Sequence, residues 1–387
     1  MNRTTRFSLL PFVILAAVAL SCKSDTFGPT NTPLGFITAV AIPGNPILSG
    51  TKSWVDSTSK RYYLTDVSNS GVDIVDAVTN AYVGRVPGFV GPTTANNGGT
   101  ATTNGAGPNS IVFAPTAKAW VSDGNSLVQI VDVNTSAIVA SVSTAIPACD
   151  DGSPTGHYCG RTNEIEYDPE DKVIFVQNPS PLSKDGAHAA LDTYGTFISA
   201  VAPYTVLGTI TFANAGGQEA PMWVPAIHRL LNAVSGKSTG TAPNLTITSP
   251  QYVAVINPKV TPYTIEKQYP IDCQALLGIA ALGINDPALG PSNHFIIPGC
   301  AKAIVMDVTT GSVVKVVKEI GGGNETWYNP GDNRYYVTGI DSTVTPPVNS
   351  LGVIDAATNT FIQASPLSEQ PIPSCMARTI TSSPWSR

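Results

Sequence analysis

The chain has 387 residues, 12% of them charged, with 27 Asp and Glu against 21 Lys and Arg and a formal net charge of −6. Such an acidic balance argues against a nucleic-acid partner, because affinity for phosphate backbones comes mainly from clustered Lys and Arg. The 34 Gly and 32 Pro suit short strands joined by many turns rather than long helices.

At the N-terminus, Arg3 and Arg6 flank the start of an apolar run over 7–20. The run reads as a secretory signal peptide and is too short for a stable span. It ends in Ala19-Leu20-Ser21-Cys22, which resembles the bacterial lipobox. That resemblance implies a lipoprotein signal peptide over 1–21, an acyl anchor such as palmitate on Cys22 and a polar tether over 22–33. Residues 34–387 then form the folded domain. Membrane contact is expected through the anchor only, and the expected location is the envelope of a bacterial cell, periplasmic or surface-exposed.

From there the chain repeats itself. Arg61-Tyr62-Tyr63-Leu64-Thr65 is echoed by Arg334-Tyr335-Tyr336-Val337-Thr338. Each is followed by a strand ending in an Asp turn: Ile74-Val75-Asp76 and Val353-Ile354-Asp355, with further copies at Ile130-Val131-Asp132 and Val305-Met306-Asp307 and a weaker one at Val255-Ile256-Asn257. Asp and Asn side chains bond the backbone two residues on, so each copy predicts a strand, a tight turn and a return strand. Inner strands ending in Pro turns precede them, as in Phe113-Ala114-Pro115, Tyr167-Asp168-Pro169, Trp223-Val224-Pro225 and Tyr328-Asn329-Pro330. Four strands, a to d, in a unit of roughly 50 residues describe a β-propeller blade.

These residues, and Tyr336-Val337-Thr338-Gly339 in particular, resemble the YVTN-repeat propeller family. The resemblance covers nearly all of 34–381 and implies an all-β propeller; it says little about function, because the family is a scaffold. Six blades are expected at 51–87, 108–144, 162–213, 218–272, 273–320 and 323–368. A partial seventh, shared by an outer strand at 36–42 and an inner strand at 376–381, is expected to close the ring, a plain six-bladed ring being the alternative.

Loop lengths select a face. In such a blade the b-to-c loops and the d-to-a crossings share one face. The insertions at 88–107, 145–160, 178–192, 235–249 and 339–349 all fall there, and 283–290 reads as an exception inside the a-to-b region of the fifth blade. Loops on a rigid scaffold often carry function. This makes the long-loop face the expected binding face, for an envelope protein, a glycan or a small ligand.

The same face holds the starts of the inner strands. Asn109, Asn163 and Asn324 align there and are followed by Ser110, Glu164 and Glu325, while Glu219 takes the Asn position in the fourth blade. These six residues, Asn109, Asn163, Glu164, Glu219, Asn324 and Glu325, are the candidate ligand-binding set. Glu164, Glu219 and Glu325 are also candidate ligands for a divalent cation, Ca²⁺ being chemically reasonable because it takes 6 to 8 oxygen ligands. By analogy with gluconolactonase-type propellers, whose own motifs this chain lacks, such an ion points to a lactonase-like hydrolase or lyase as the alternative to a binding protein. Two simpler readings stay open: the repeated Asn residues bond backbone between blades, and Lys52, at the Glu164-equivalent position of the first blade, is an internal counter-charge. The four histidines, His157, His188, His228 and His294, show no metal or catalytic spacing. Export permits disulfides, and the expected pairs are Cys149 with Cys159 and Cys273 with Cys300, leaving Cys375 reduced.

Overall fold

The computed structural model describes residues 37–47, 52–93, 102–114, 117–150, 152, 158–185, 187–240 and 245–367. The expected signal peptide, tether, Cys22, His157, Cys375 and the strand over 376–381 lie outside them. The described residues are almost entirely strands and turns, arranged as a six-bladed propeller of consecutive four-stranded antiparallel sheets. Blade 1 has strands a to d at Ser53–Asp56, Arg61–Asp66, Gly71–Asp76 and Tyr82–Pro87, and blade 2 at Ser110–Ala114, Lys118–Ser122, Leu127–Asp132 and Ala137–Ser143. Blade 3 has them at Ile165–Asp168, Val173–Asn178, Thr193–Ser199 and Val206–Phe212, and blade 4 at Gly217–Val224, Arg229–Ser235, Tyr252–Ile256 and Ile265–Pro270. Blade 5 uses Ala288–Leu289, His294–Gly299, Lys302–Asp307 and Val313–Val317; blade 6 uses Ile320–Asn329, Arg334–Asp341, Val348–Asp355 and Thr360–Pro366.

Burial follows position in the blade. Strand b of blade 3 is buried at every residue, because neighbouring blades cover both of its faces, whereas strand d of blade 2 alternates exposed and half-buried residues at the rim. This is why inner strands read as continuous apolar runs and outer strands alternate. The cores lie between blades: Val112, Trp120 and Ile130 of blade 2 pack with Ile165, Ile174 and Val176 of blade 3.

The repeated Asp turn has one geometry in four blades. The Oδ1 of Asp76 accepts from the Val78 and Thr79 N–H groups at 2.9 and 2.7 Å, Asp132 from Asn134 and Thr135 at 2.9 and 3.3 Å, Asp307 from Thr309 and Thr310 at 2.9 and 2.8 Å, and Asp355 from Ala357 and Thr358 at 3.0 and 2.8 Å. The fourth residue after each Asp enters the left-handed region, at φ 57° for Asn80, 53° for Ser136, 73° for Gly311 and 55° for Asn359, which Asn and Gly tolerate best.

Two expectations are corrected. Residues 283–290 are not an a-to-b insertion: they contain strand a of blade 5 itself, with Ile284 bridging to Gly299 and Ala288 pairing with Ile296. Pro287 and Pro291 flank this strand, and because proline has no N–H to donate to a ladder only two residues pair, so the segment reads as a turn. The partial seventh blade gains no strand at 37–42. Instead Trp54 of blade 1 stacks on Phe113 of blade 2 with centroids 6.3 Å apart and meets Trp327 of blade 6 edge-on at 5.8 Å, so blades 1 and 6 are direct neighbours. Among the described residues one α-helix, Cys273–Leu277, interrupts the β-structure; Asp272 caps it and Gly278, at φ 72°, ends it.

Both expected disulfides form. Cys149 and Cys159 have Cα atoms 4.9 Å apart, and Cys273 and Cys300 5.3 Å, with 27 residues of separation in the second pair. Closing a loop of that length is worth about 3–4 kcal/mol in the chain-entropy account. Among the described residues no helix is long and apolar enough to cross a membrane.

Candidate functional site at the axial mouth

The first residues of the inner strands meet on the propeller axis. Lys52 of blade 1 places its Nζ 3.0 Å from Glu164 of blade 3 and 3.2 Å from Asp286 of blade 5. Three alternate blades can meet only at the axis. Asp286 also accepts the Ala220 N–H of blade 4 at 2.9 Å and shares a side-chain hydrogen bond with Glu325 of blade 6. The mouth therefore gathers Glu164, Glu219, Asp286 and Glu325 around Lys52 and Arg161, at the end of the channel from which the long loops rise.

A chain of hydrogen bonds at the same level links the blades in order. Lys52 N donates to Asn109 O at 3.1 Å and Asp286 N to Asn324 O at 3.2 Å. The side-chain amide of Asn109 donates to Thr162 O at 3.0 Å, that of Gln177 to Glu219 O at 2.6 Å and that of Asn285 to Gly323 O at 2.6 Å. Asn109 and Asn285 are thus inter-blade pins, the simpler of the two readings of the repeated Asn. Asn163 is buried at 7% exposure with its amide oxygen unpartnered, and Asn324 is exposed.

Electrostatics follow from crowding charges in a poorly hydrated place. Burial disfavours the Lys52 ammonium, but Asp286, Glu164 and Glu325 outweigh it and hold its pKa above the usual value. Burial pushes the Glu219 and Glu325 carboxyls well above the ordinary range, and Asp286 and Glu164 add to this, against the attraction of Lys52. Glu164 is raised by burial first, with Lys52 opposing. Arg161 is lowered by burial despite Glu164 and Glu219; its only hydrogen bond among the described residues goes to Asn109 Oδ1 at 3.3 Å. Two residues along the strand from Glu164, on the same side, Glu166 is pushed up to about 7 by burial.

Of the six residues expected from the sequence, Glu164, Glu219 and Glu325 come together, Asn109 ties blades, and Asn163 sits beside Glu164. The calcium expected on Glu164, Glu219 and Glu325 meets a competing cation, because the Glu164 carboxylate is engaged by Lys52; among the described residues no group of three His, Cys, Asp or Glu side chains is disposed to hold a metal. Asp286 and Arg161 were not singled out from the sequence. A signal for Asp286 was present: Asn285-Asp286 stands before Pro291 as Asn163-Glu164 stands before Pro169. It was hidden by the reading of 283–290 as a turn. Arg161 follows a long crossing and carries no repeat signal.

A second concavity of about 250 Å³ lies between the strand pair Lys237–Thr239 and Thr246–Ser249 and the Cys273–Leu277 helix, with walls including Ile247, Pro250, Ile271 and Leu282. Its polar groups are committed to the protein: Asp272 caps the helix, and Gln251 bonds Ile271 O and Gly283 N. The axial mouth differs in gathering charged side chains from several blades at one point.

No protein-family profile matches the chain, and no characterised protein sequence is significantly similar to it. Among solved structures it is similar to the Kuenenia stuttgartiensis hydrazine synthase, with a TM-score of 0.51 at 12% identity over 74% of this chain and 79% of that one. The likeness is one of fold. With 1251 solved chains resembling this one, the architecture is widely used, and function has to be argued from the mouth and loops.

The raised Glu166 gives a signed expectation. A carboxyl that is near 4.5 when unfolded and about 7 when folded stabilises the fold fully below pH 4.5, and that contribution is lost as pH rises through 7. Glu166→Gln, which mimics the neutral acid, is expected to match the wild type at pH 4.5 and to exceed it by about 2 kcal/mol at pH 8. Urea denaturation at both pH values checks this; a variant less stable than wild type at pH 8 contradicts it.

Proposed function

We propose that this protein is an exported, lipid-anchored component of the bacterial cell envelope that binds a ligand on the long-loop face of its propeller, centred on the axial mouth, within a YVTN-type repeat scaffold. The observation that carries the reading is the coincidence of two features at one end of the channel. The long insertions, including the 91–93/102–107 and 237–239/246–249 ribbons, rise from the face on which the charged residues of five blades converge. Four carboxyl groups stand here around one ammonium and one guanidinium, and only Glu164 and Asp286 are used by the Lys52 contacts that tie blades 1, 3 and 5, while burial raises Glu219 and Glu325 well above the ordinary carboxyl range. The lactonase-like alternative has no observation in its favour beyond the carboxylates themselves.

Hydrogen–deuterium exchange in the presence of a bacterial envelope extract tests the binding face. Protection is expected in 178–192, 235–249 and 339–349 and at the starts of the inner strands; protection confined to the opposite face, or none, contradicts the reading. The anchor is tested separately. Cys22→Ser is expected to move the protein from the membrane fraction to the soluble fraction, and a variant that still partitions with membranes, beside a wild type without acyl mass, overturns it.

A further inference from the structure

Residues 37–47 lie against blade 1 without joining its sheet. Pro43 and Pro46 have no N–H to give to a ladder, and Ile37, Pro43, Gly44, Asn45 and Pro46 are exposed, with Val40, Ile42 and Ile47 only half-buried. One point on blade 1 holds the segment. The Asn69 side chain engages the Asn45 backbone twice, its Oδ1 accepting the Asn45 N–H at 2.6 Å and its Nδ2 donating to Asn45 O at 2.9 Å. The Asn45 side-chain amide donates to Ser68 O at 3.3 Å, and Arg85 Nη2 donates to Pro43 O at 3.0 Å. Gly44 permits this approach: it sits at φ 115°, and a Cβ there would lie 2.3 Å from Asn69 Oδ1.

The two sides of this contact are unequal. On blade 1 the fully buried Asp66 and Asp73 hold the Arg85 guanidinium at 3.3 and 2.8 Å, and Asp66 also accepts the Asn69 N–H at 3.1 Å and its side-chain amide at 2.6 Å. Gly71 leaves room for the Arg85 stem, because a Cβ there would lie 2.6 Å from its Cγ and Cδ. Bonds to charged groups are the stronger kind, so Asn69 and Arg85 keep their places whether or not the segment is bound. The segment has four hydrogen bonds to these groups and no fully buried residue, the character of a part that opens locally at a small fraction of the global stability. We infer that residues 37–47 are a strap fastened to blade 1 by the Asn69 and Arg85 clasp, which opens and closes without the propeller and so sets how far any segment upstream can stand from blade 1. Closed, the upstream chain starts at Pro43. Open, it starts at Lys52, nine residues further on, which adds about 30 Å of extended chain. For the proposed anchor on Cys22 this is a change in reach from the membrane, a consequence that rests on the anchor reading, whereas the clasp does not.

The test is amide hydrogen exchange of the intact protein, followed by NMR at the Asn45 N–H. In the wild type this amide is expected to exchange more slowly than an unprotected one, yet at least a hundredfold faster than the ladder amides of Gly71–Asp76, and with little dependence on urea because local opening exposes little surface. Gly44→Val and Asn69→Ala should each speed it at least tenfold while the ladder amides keep their wild-type rates. Gly44→Val alters only the strap, so the test stands even if Asn69→Ala fails to fold. An Asn45 amide as slow as the ladder, with the same urea dependence, makes the strap part of the propeller's cooperative unit and overturns the inference. So does an unprotected Asn45 amide in the wild type, an exchange rate unchanged in the folded variants, or a variant that speeds the ladder amides equally. The measurement needs no acyl group, so a failed clasp leaves the anchor reading to the Cys22→Ser fractionation, and a failed anchor leaves the clasp to this one.

Discussion

The Lys52 ammonium is the contact on which the arrangement of this propeller turns. It reaches from blade 1 to blades 3 and 5 at once, so its position is defined only when the ring is closed and all three inner strands start at the same height. Removing one partner of such an enclosed pair leaves a charge uncompensated in a poorly hydrated place, which costs far more than the intact pair contributes. Other features of the mouth follow from it. Glu164 and Asp286 are fixed by the ammonium, Asp286 in turn orders Ala220 and Glu325, and the hydrogen bonds from Lys52 N to Asn109 O and from Asp286 N to Asn324 O set the spacing of adjacent blades.

Ring closure is otherwise unusual in having, among the described residues, no strand exchanged between the two ends of the chain. Each sheet is built from consecutive strands. Blades 6 and 1 meet through Trp327 against Trp54 and through the attraction of Lys52 for Glu325. An indole pair and a cross-axis charge cluster thus sit at the junction where chain connectivity gives no help. The same cluster holds more acidic than basic groups, Glu164, Glu219, Asp286 and Glu325 beside Lys52 and Arg161, so scaffold and candidate site share residues.

Much of the fold was readable because the repeat has a local cause. An Asp that accepts two backbone N–H groups, followed by a left-handed residue, leaves Asp-x-x-Thr with Asn, Ser or Gly immediately after the Thr, and this pattern places strands c and d in four blades before any coordinates are known. The inner strands of blades 2, 3, 4 and 6 were readable from their Pro turns; in blade 5 two prolines instead shorten strand a to Ala288–Leu289 and erase the strand signal. That one misreading concealed Asn285 and Asp286, and with Asp286 the partner that turns Lys52 from a stray cation into the centre of the mouth. Glu164, Glu219 and Glu325 could be aligned by counting back from prolines. Arg161 could not, because it lies outside the repeat and reaches the axis only through the path of a long crossing, a non-local property.

The central claim is that Lys52 and Asp286 are coupled across the axis, and a double-mutant cycle measures that coupling directly. Lys52→Met, Asp286→Asn and the double variant are compared with wild type by urea denaturation at pH 7. The account predicts that the single substitutions are not additive, with an interaction energy of about 2 kcal/mol, as found for groups in direct contact within one charge network. Additivity to within about 0.5 kcal/mol, the behaviour of independent sites, would show that the ammonium does not hold the blades together and would contradict the account.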